Sequence, residues 1–155
     1  MDYRKEYEKW LASPALSEDE RAELRALEGN DKEIKARFYG PLEFGTAGLR
    51  GTMYTGLHNM NRHVIRWATQ GFANVIRAEG TEAMQKGVAV CMDCRNHSAE
   101  FARETACVMA ANGIHVRLFE SLRPTPELSF AVREYGCQAG VNVTASHNPK
   151  EYNGY

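Results

Sequence analysis

The hydrophobic pattern of the chain changes near Pro41. Residues 2–39 are rich in charge, and their apolar side chains recur at helical spacing around two good helix starts, Ser17 and Asp31. The apolar stripe comprises Trp10, Leu11, Leu16, Leu24, Leu27, Ile34 and Phe38. Such a stripe on charged helices needs a surface to pack against. Residues 1–40 are therefore predicted to form a helical N-terminal arm that docks on the rest of the chain.

Beyond Pro41, short apolar runs alternate with stretches of helical periodicity. The predicted elements are a helix from Asn61 to Ile76, a strand at 88–92, a helix at 101–109, a strand at 114–118, a helix from Thr125 to Tyr135 and a strand at 139–143. This alternation is typical of a layered α/β domain with a largely parallel sheet. Residues 41–155 are predicted to form one such domain.

Three polar segments of this domain are each expected to follow a strand. They are FGTAGLRG at 44–51, DCRNHS at 93–98 and TASHNP at 144–149. In open α/β sheets, binding residues collect at the carboxyl ends of the strands. The pattern therefore predicts that the three segments face one shared crevice.

The charge balance excludes several kinds of partner. The formal net charge is -1 at pH 7, and no five like charges follow one another, so we expect binding to neither nucleic acid nor an anionic membrane. The first ten residues lack the apolar stretch of a secretory signal, and no segment approaches the ~20 apolar residues that cross a bilayer. The sequence predicts a soluble, cytoplasmic protein.

Cysteine spacing does not indicate a metal site. The four cysteines are Cys91, Cys94, Cys107 and Cys137. A structural zinc site usually needs a second pair of Cys or His ligands at comparable spacing, so reduced, structural thiols are predicted. A redox role for the CxxC pair at 91–94 stays open, because such pairs act at helix starts.

Glycines recur at every third position of FGTAGLRG, at Gly45, Gly48 and Gly51. They allow the backbone to turn sharply and to approach a ligand, and Arg50 offers a fork for a phosphate or carboxylate. The spacing matches neither the P-loop nor the dinucleotide fingerprint. Taken alone, the segment favours a structural turn.

Ser146 does not fit a hydrolase nucleophile. Thr144 and Asn148 occupy the places that glycines hold in a G-x-S-x-G elbow. The adjacent His147 does not complete a triad, because neighbouring side chains at a turn are expected to diverge and no orienting carboxylate is marked. Taken alone, Ser146 is a turn residue.

The segment DCRNHS is expected to be structural as well. Asp93 and Arg95 are predicted to form an ion pair, and Ser98 to begin the next helix. The remaining histidines, which lack the spacing of metal ligands, are His58, His63, His97 and His115.

The combination of these segments is far more specific than each alone. FGTAGLRGTM at 44–53 and TASHNPKEYNGY at 144–155, with a D-x-R between them, closely resemble the motifs of the α-D-phosphohexomutase superfamily. The long first motif, and TQGFANVI at 69–76, resemble its phosphoglucomutase 2 or phosphopentomutase branch, whose members are often labelled phosphoglucomutase/phosphomannomutase. The resemblance spans residues 40–155 and implies the family's first domain, a mixed, largely parallel sheet sandwiched between helices.

The resemblance also implies roles for individual residues. Ser146 matches the phosphorylated serine, His147 a histidine that handles protons or bonds substrate hydroxyls, and Arg50 an arginine that steadies phosphoryl oxygens. Binding of substrate or phosphate is implied for Gly45, Thr46, Gly48 and Asn148. The cofactor implied is Mg²⁺, bound to this chain only through the phosphate on Ser146, with aspartates of a loop absent from this chain as its other ligands.

The implied reaction is a phosphotransfer within a sugar phosphate. The phosphoserine gives its phosphoryl group to a hexose or pentose 1-phosphate, and the sugar bisphosphate returns its other phosphate, leaving a 6-phosphate or 5-phosphate. Enzymes of this family have four domains, so we expect a truncated first domain that is inactive alone and can self-associate through surfaces that later domains cover. The alternative is a small phosphate-binding or regulatory α/β module without catalysis, in which Ser146 is only a turn residue.

Overall fold

The computed structural model describes residues 1–46 and 48–155. The elements, in chain order, are α1 (Tyr3–Leu11), α2 (Glu18–Arg25), α3 (Asp31–Phe38), β1 (Arg50–Thr52), α4 (Arg62–Ala78), α5 (Thr81–Lys86), β2 (Val88–Met92), α6 (Ser98–Ala111), β3 (Val116–Leu118), α7 (Thr125–Glu134), β4 (Ala139–Val143) and β5 (Tyr152–Gly154). Within these residues, no helix has both the length and the apolar character needed to cross a membrane.

Parallel and antiparallel strands are both present. Strands β3, β2 and β4 form a parallel sheet in that order, with Val88 of β2 beside Val116 and Ala139. Strands β1 and β5 pair antiparallel. The two sheets meet where the Thr144 amide donates to the Gly154 carbonyl at 3.2 Å. The predicted α/β class with a mixed, largely parallel sheet is confirmed.

Helices cover both faces of the parallel sheet because the side chains of β2 alternate between them. Val88 and Val90 belong to a core cluster with residues of α4 and α6, such as Ile65 and Met109. Ala89 and Cys91 pack on the opposite face against Leu128 of α7. All five residues of β2 are buried, which fits its position at the centre of the parallel sheet.

Helices α1, α2 and α3 enclose a second, smaller core. The rings of Tyr7 and Trp10 meet Phe38 edge to face, each with centroids 5.7 Å apart. Glu23 of α2 holds these helices to the following segment by accepting hydrogen bonds from the Thr55 amide and hydroxyl. The division of the chain at residue 40 stays a prediction.

Several local features differ from the sequence prediction. Asn30, rather than Asp31, caps α3, and its side chain accepts from the Glu33 amide. The expectation that FGTAGLRG follows a strand is wrong: residues 41–44 have no regular structure, and β1 begins inside the motif at Arg50. This error has a physical cause, since a three-residue strand carries no hydrophobic period and the partner of β1 lies about a hundred residues away.

Candidate active site

The serine loop, residues 144–151, leaves β4 and leads to β5. Its first turn is closed locally, because the Ser146 amide donates to Thr144 Oγ1 at 3.0 Å and the Asn148 amide donates to the Ala145 carbonyl at 3.0 Å. Ala145 is fully buried, whereas Ser146 is exposed. Ser146 has a φ of 53°, and among the described non-glycine residues it shares a positive φ only with His97. The loop therefore presents the serine at its tip.

The hydroxyl of Ser146 lies beside the ring of His147. The distance from Oγ to Nδ1 is 3.3 Å, and both residues are exposed. The expectation that these neighbouring side chains diverge is wrong, because the left-handed backbone at Ser146 turns them toward each other. When its proton is on Nε2, the imidazole accepts at Nδ1 from the serine hydroxyl, and the imidazolium donates to the serine oxygen.

Arg50 reaches the serine loop from β1. The pairing of β1 with β5 sets Arg50 opposite Gly154, and its Nη1 donates to Asn148 Oδ1 at 3.1 Å. The Nε atom of Arg50 is buried and has no hydrogen-bond partner among the described residues. Asn148 lies two residues along the loop from the exposed Ser146. The Arg50 guanidinium, which still has donors without a partner, is therefore suited to bind an anion near the serine.

The glycine-rich segment folds back on itself before β1. Gly45 and Gly48 exchange two backbone hydrogen bonds, of 2.9 and 3.2 Å, and Thr46 lies exposed between them. Gly48 has a φ of +85°, and a Cβ there would lie 2.2 Å from the Tyr155 carbonyl oxygen. The glycine at 48 is therefore required for packing. Ligand binding by Gly45, Thr46 and Gly48 stays a prediction.

Replacing Gly48 by alanine is expected to lower the free energy of unfolding of the chain by about 3 kcal/mol or more, because strained backbone and steric overlap both oppose the methyl group. Denaturant unfolding measures this change. Gly71→Ala is the matched control: it lies in α4 with no atom within 4 Å of the new Cβ, and should raise stability by up to about 1 kcal/mol. Equal stabilities of the two variants would contradict the structural requirement at position 48.

Asp93, at the end of β2, connects the neighbouring strand end to the serine loop. Its Oδ2 accepts from Thr144 Oγ1 at 2.6 Å, and its Oδ1 accepts from Ser98 Oγ at 2.8 Å and from the Arg95 amide at 3.0 Å. The predicted contact of Asp93 with Arg95 is present, with Nε 3.4 Å from Oδ2. The hydrogen bond from Thr144 to Asp93 was not predicted from the sequence, although segments that follow neighbouring parallel strands were expected to meet.

The residues present do not make a Mg²⁺ site. The described residues contain no group of three or more His, Cys, Asp or Glu side chains that could hold a metal. Both carboxylate oxygens of Asp93 already accept hydrogen bonds. The serine loop itself carries a single carboxylate, that of the exposed Glu151.

Two weakly acidic groups of this region have raised pKa values. Burial raises the pKa of Tyr155 to about 12 and that of the Cys91 thiol to about 11. A thiol with a raised pKa is a poor nucleophile, which argues against a redox role for the pair with Cys94. All four cysteines are free.

An apolar groove of 660 Å³ lies away from the serine, between α4 and β4. Phe44, Trp67 and Phe72 contribute to its lining, which does not include Ser146 or Arg50. The segments after β2 and β4 do meet, as predicted, but Ser146 lies on an open surface.

Comparison with known proteins identifies the family of the chain. Residues 41–155 match the family model described as phosphoglucomutase/phosphomannomutase, alpha/beta/alpha domain I. The chain is 41% identical over 134 residues to the phosphopentomutase of Homo sapiens, covering 83% of this chain and 22% of that protein. It is 41% identical over 124 residues to the phosphoglucomutase of Staphylococcus saprophyticus, covering 80% of this chain and 22% of that protein.

A solved structure gives the same result. A crystal structure from Thermus thermophilus, assigned as a phosphomannomutase, superposes with a TM-score of 0.67 at 33% identity and covers 74% of this chain and 25% of that one. The chain thus spans about a quarter of the length of the proteins it matches. It belongs to the phosphoglucomutase/phosphomannomutase family, and its residues 41–155 correspond to the family's α/β/α domain I.

Proposed function

We propose that this chain is the phosphoserine-bearing domain of a longer phosphosugar mutase. The enzyme interconverts a hexose or pentose 1-phosphate with the 6-phosphate or 5-phosphate, through phosphorylated Ser146 and a sugar bisphosphate. The observation that carries the proposal is the exposed Ser146 hydroxyl, 3.3 Å from His147, on a loop that Arg50 grips through Asn148. The names of the relatives, which include phosphopentomutase, phosphoglucomutase and phosphomannomutase, support the same class of substrate.

Phosphorylated Ser146 needs a positive neighbour. A phosphoserine carries about -1.5 to -2 charges at neutral pH, and these charges spread over the oxygens as the phosphoryl group moves. Among the described residues, the Arg50 side chain has one hydrogen-bond partner, Asn148, and its Nε has none, so turning the guanidinium toward the phosphoryl oxygens would break few contacts. Its function in the proposal is to stabilise that charge.

In the transfer, the bond from phosphorus to the Ser146 oxygen breaks while a bond from phosphorus to a sugar hydroxyl oxygen forms. Protonated His147 gives its proton to the departing serine oxygen and takes it back when the serine is phosphorylated again. The proton of the sugar hydroxyl leaves to a base outside the serine loop, and that group returns a proton to the sugar oxygen that is released when the serine is phosphorylated again. We assign no step to Mg²⁺, because the residues of this chain do not hold it beyond the phosphoryl group itself.

The experiment is to locate the phosphoryl group. The full-length protein, purified from cells, is treated with phosphatase or with glucose 1,6-bisphosphate, and intact-mass analysis is followed by peptide mapping. We expect one phosphoryl group, on Ser146, that phosphatase removes and the bisphosphate restores. Labelling at Ser98 or Ser129 instead, or no labelling at all, would contradict the proposal. The chain of 155 residues alone is expected not to turn over glucose 1-phosphate.

A further inference from the structure

The guanidinium of Arg95 contacts the backbone of the serine loop and the first residue of β5. Its Nη2 donates to the carbonyl oxygens of Ser146 at 2.9 Å and Asn148 at 2.6 Å. Its Nη1 donates to the carbonyl oxygens of Pro149 at 2.8 Å and Tyr152 at 3.0 Å. A single guanidinium thus donates hydrogen bonds to four backbone carbonyls.

The remaining donor of Arg95 faces Asp93, which is itself part of the loop's support. Nε lies 3.4 Å from Asp93 Oδ2, and that oxygen accepts from Thr144 Oγ1, which in turn accepts from the Ser146 amide. The Arg95 side chain is only 12% exposed. Both Nη atoms therefore donate to backbone carbonyls and Nε lies beside a carboxylate, so the guanidinium is committed to the protein rather than to a phosphate.

Few side chains could replace this guanidinium. Four convergent carbonyls repel one another unless donors lie between them, and the planar arginine fork supplies donors in fixed directions. A lysine ammonium supplies three donors from one point and cannot reach four oxygens at once. Ser146 has a positive φ that a non-glycine residue adopts only when its surroundings impose it.

We propose that Arg95, with Asp93 as its anchor, is a positioning residue that holds the backbone of Ser146 so that its hydroxyl meets His147. This inference rests on the proposed function, but it concerns the support of the serine rather than the transfer itself. Arg50 and Arg95 therefore have different roles. Arg50 has an N–H group without a partner and is proposed to bind an anion, whereas Arg95 donates to the backbone of the serine loop and is proposed to position it.

The first test follows hydrogen exchange in the chain of 155 residues. The variants are Arg95→Ala, Arg95→Lys and, as a matched control, Arg103→Ala, an exposed arginine of α6. We expect Arg95→Ala to speed exchange of the Ser146, Asn148 and Tyr152 amides by about tenfold or more, while amides of β2 keep their protection. Arg95→Lys should resemble Arg95→Ala, and Arg103→Ala the wild type.

The second test measures turnover in the full-length protein. Displacing the serine should lower kcat by about 100-fold in Arg95→Ala and leave KM within about threefold, because the sugar phosphate does not touch Arg95. Added guanidinium ion should restore part of kcat to Arg95→Ala and none to Arg50→Ala. A merely structural role would instead speed exchange of the β2 amides as well.

Unchanged hydrogen exchange in the serine loop of Arg95→Ala would overturn the positioning role. A raised KM with an unchanged kcat would overturn it as well. Absence of turnover in the wild-type full-length protein would overturn the proposed function instead, and the exchange result would then decide alone whether Arg95 holds the loop. If Arg95→Ala does not fold, Thr144→Val replaces it. That variant removes the acceptor of the Ser146 amide at nearly constant volume and should release the same amides.

Discussion

Full-length protein carrying Ser146→Ala is expected to lose phosphosugar mutase turnover, with kcat at least about 10⁴-fold below that of the wild type. In the proposed reaction, the hydroxyl oxygen of Ser146 is the atom that carries the phosphoryl group between the two half-reactions, and no other exposed hydroxyl lies in the first turn of the serine loop. A coupled assay for conversion of glucose 1-phosphate to glucose 6-phosphate measures the loss.

Two further variants separate the chemistry from the backbone. Ser146→Gly also removes the hydroxyl but tolerates the φ of 53°, so it should be as inactive as Ser146→Ala while keeping the loop folded. Ser129→Ala, on α7, should retain full activity. In a phosphate-binding module without catalysis, the wild type would show no turnover and Ser146→Ala would bind the sugar phosphate as well as the wild type does. That outcome would favour the alternative function.

The local chemistry of the sequence predicted the elements that carry a period or a cap. Asn61 was expected to start a helix, and its side chain does accept from the amides of His63 and Val64 at the start of α4. The apolar runs at 88–92 and 139–143 became the neighbouring parallel strands β2 and β4. In each case the helix cap or apolar run consists of a few consecutive residues, so a single sequence is sufficient to predict the element.

Apart from the short helix α5, which was not predicted, what the sequence missed depends on contacts between residues that are distant along the chain. Arg50 pairs with Gly154 across about a hundred residues, and Arg95 meets the carbonyls of the serine loop across about fifty. An arginine that bonds backbone carbonyls leaves no trace in a hydrophobic pattern, since any residue supplies a carbonyl. Asp93 and Arg95 therefore looked like a simple ion pair, and their hold on Ser146 appeared only with the fold.

Replacing Arg50 by alanine is expected to lower kcat of the full-length protein by about 10²- to 10³-fold, the cost of removing one preorganised donor to a transferring group. Arg50→Lys should recover only part of this loss, because an ammonium keeps the charge but not the fork. KM should change little, since the proposed contact is with the phosphoryl group on Ser146 rather than with the free sugar. Steady-state kinetics on both variants gives the two constants.

A stability measurement distinguishes this electrostatic role from a structural one. Within the part of the chain that the structure describes, the Arg50 side chain makes a single hydrogen bond, to Asn148, so the free energy of unfolding of the unphosphorylated Arg50→Ala chain should lie within about 1 kcal/mol of the wild-type value. Phosphorylation of Ser146 should then stabilise the wild type against unfolding but not Arg50→Ala, because only the wild type has a guanidinium to pair with the new charge. Arg133→Ala, on the surface of α7, is the control and should behave like the wild type. Equal stabilisation of the wild type and Arg50→Ala by phosphorylation would show that Arg50 does not face the phosphoryl group.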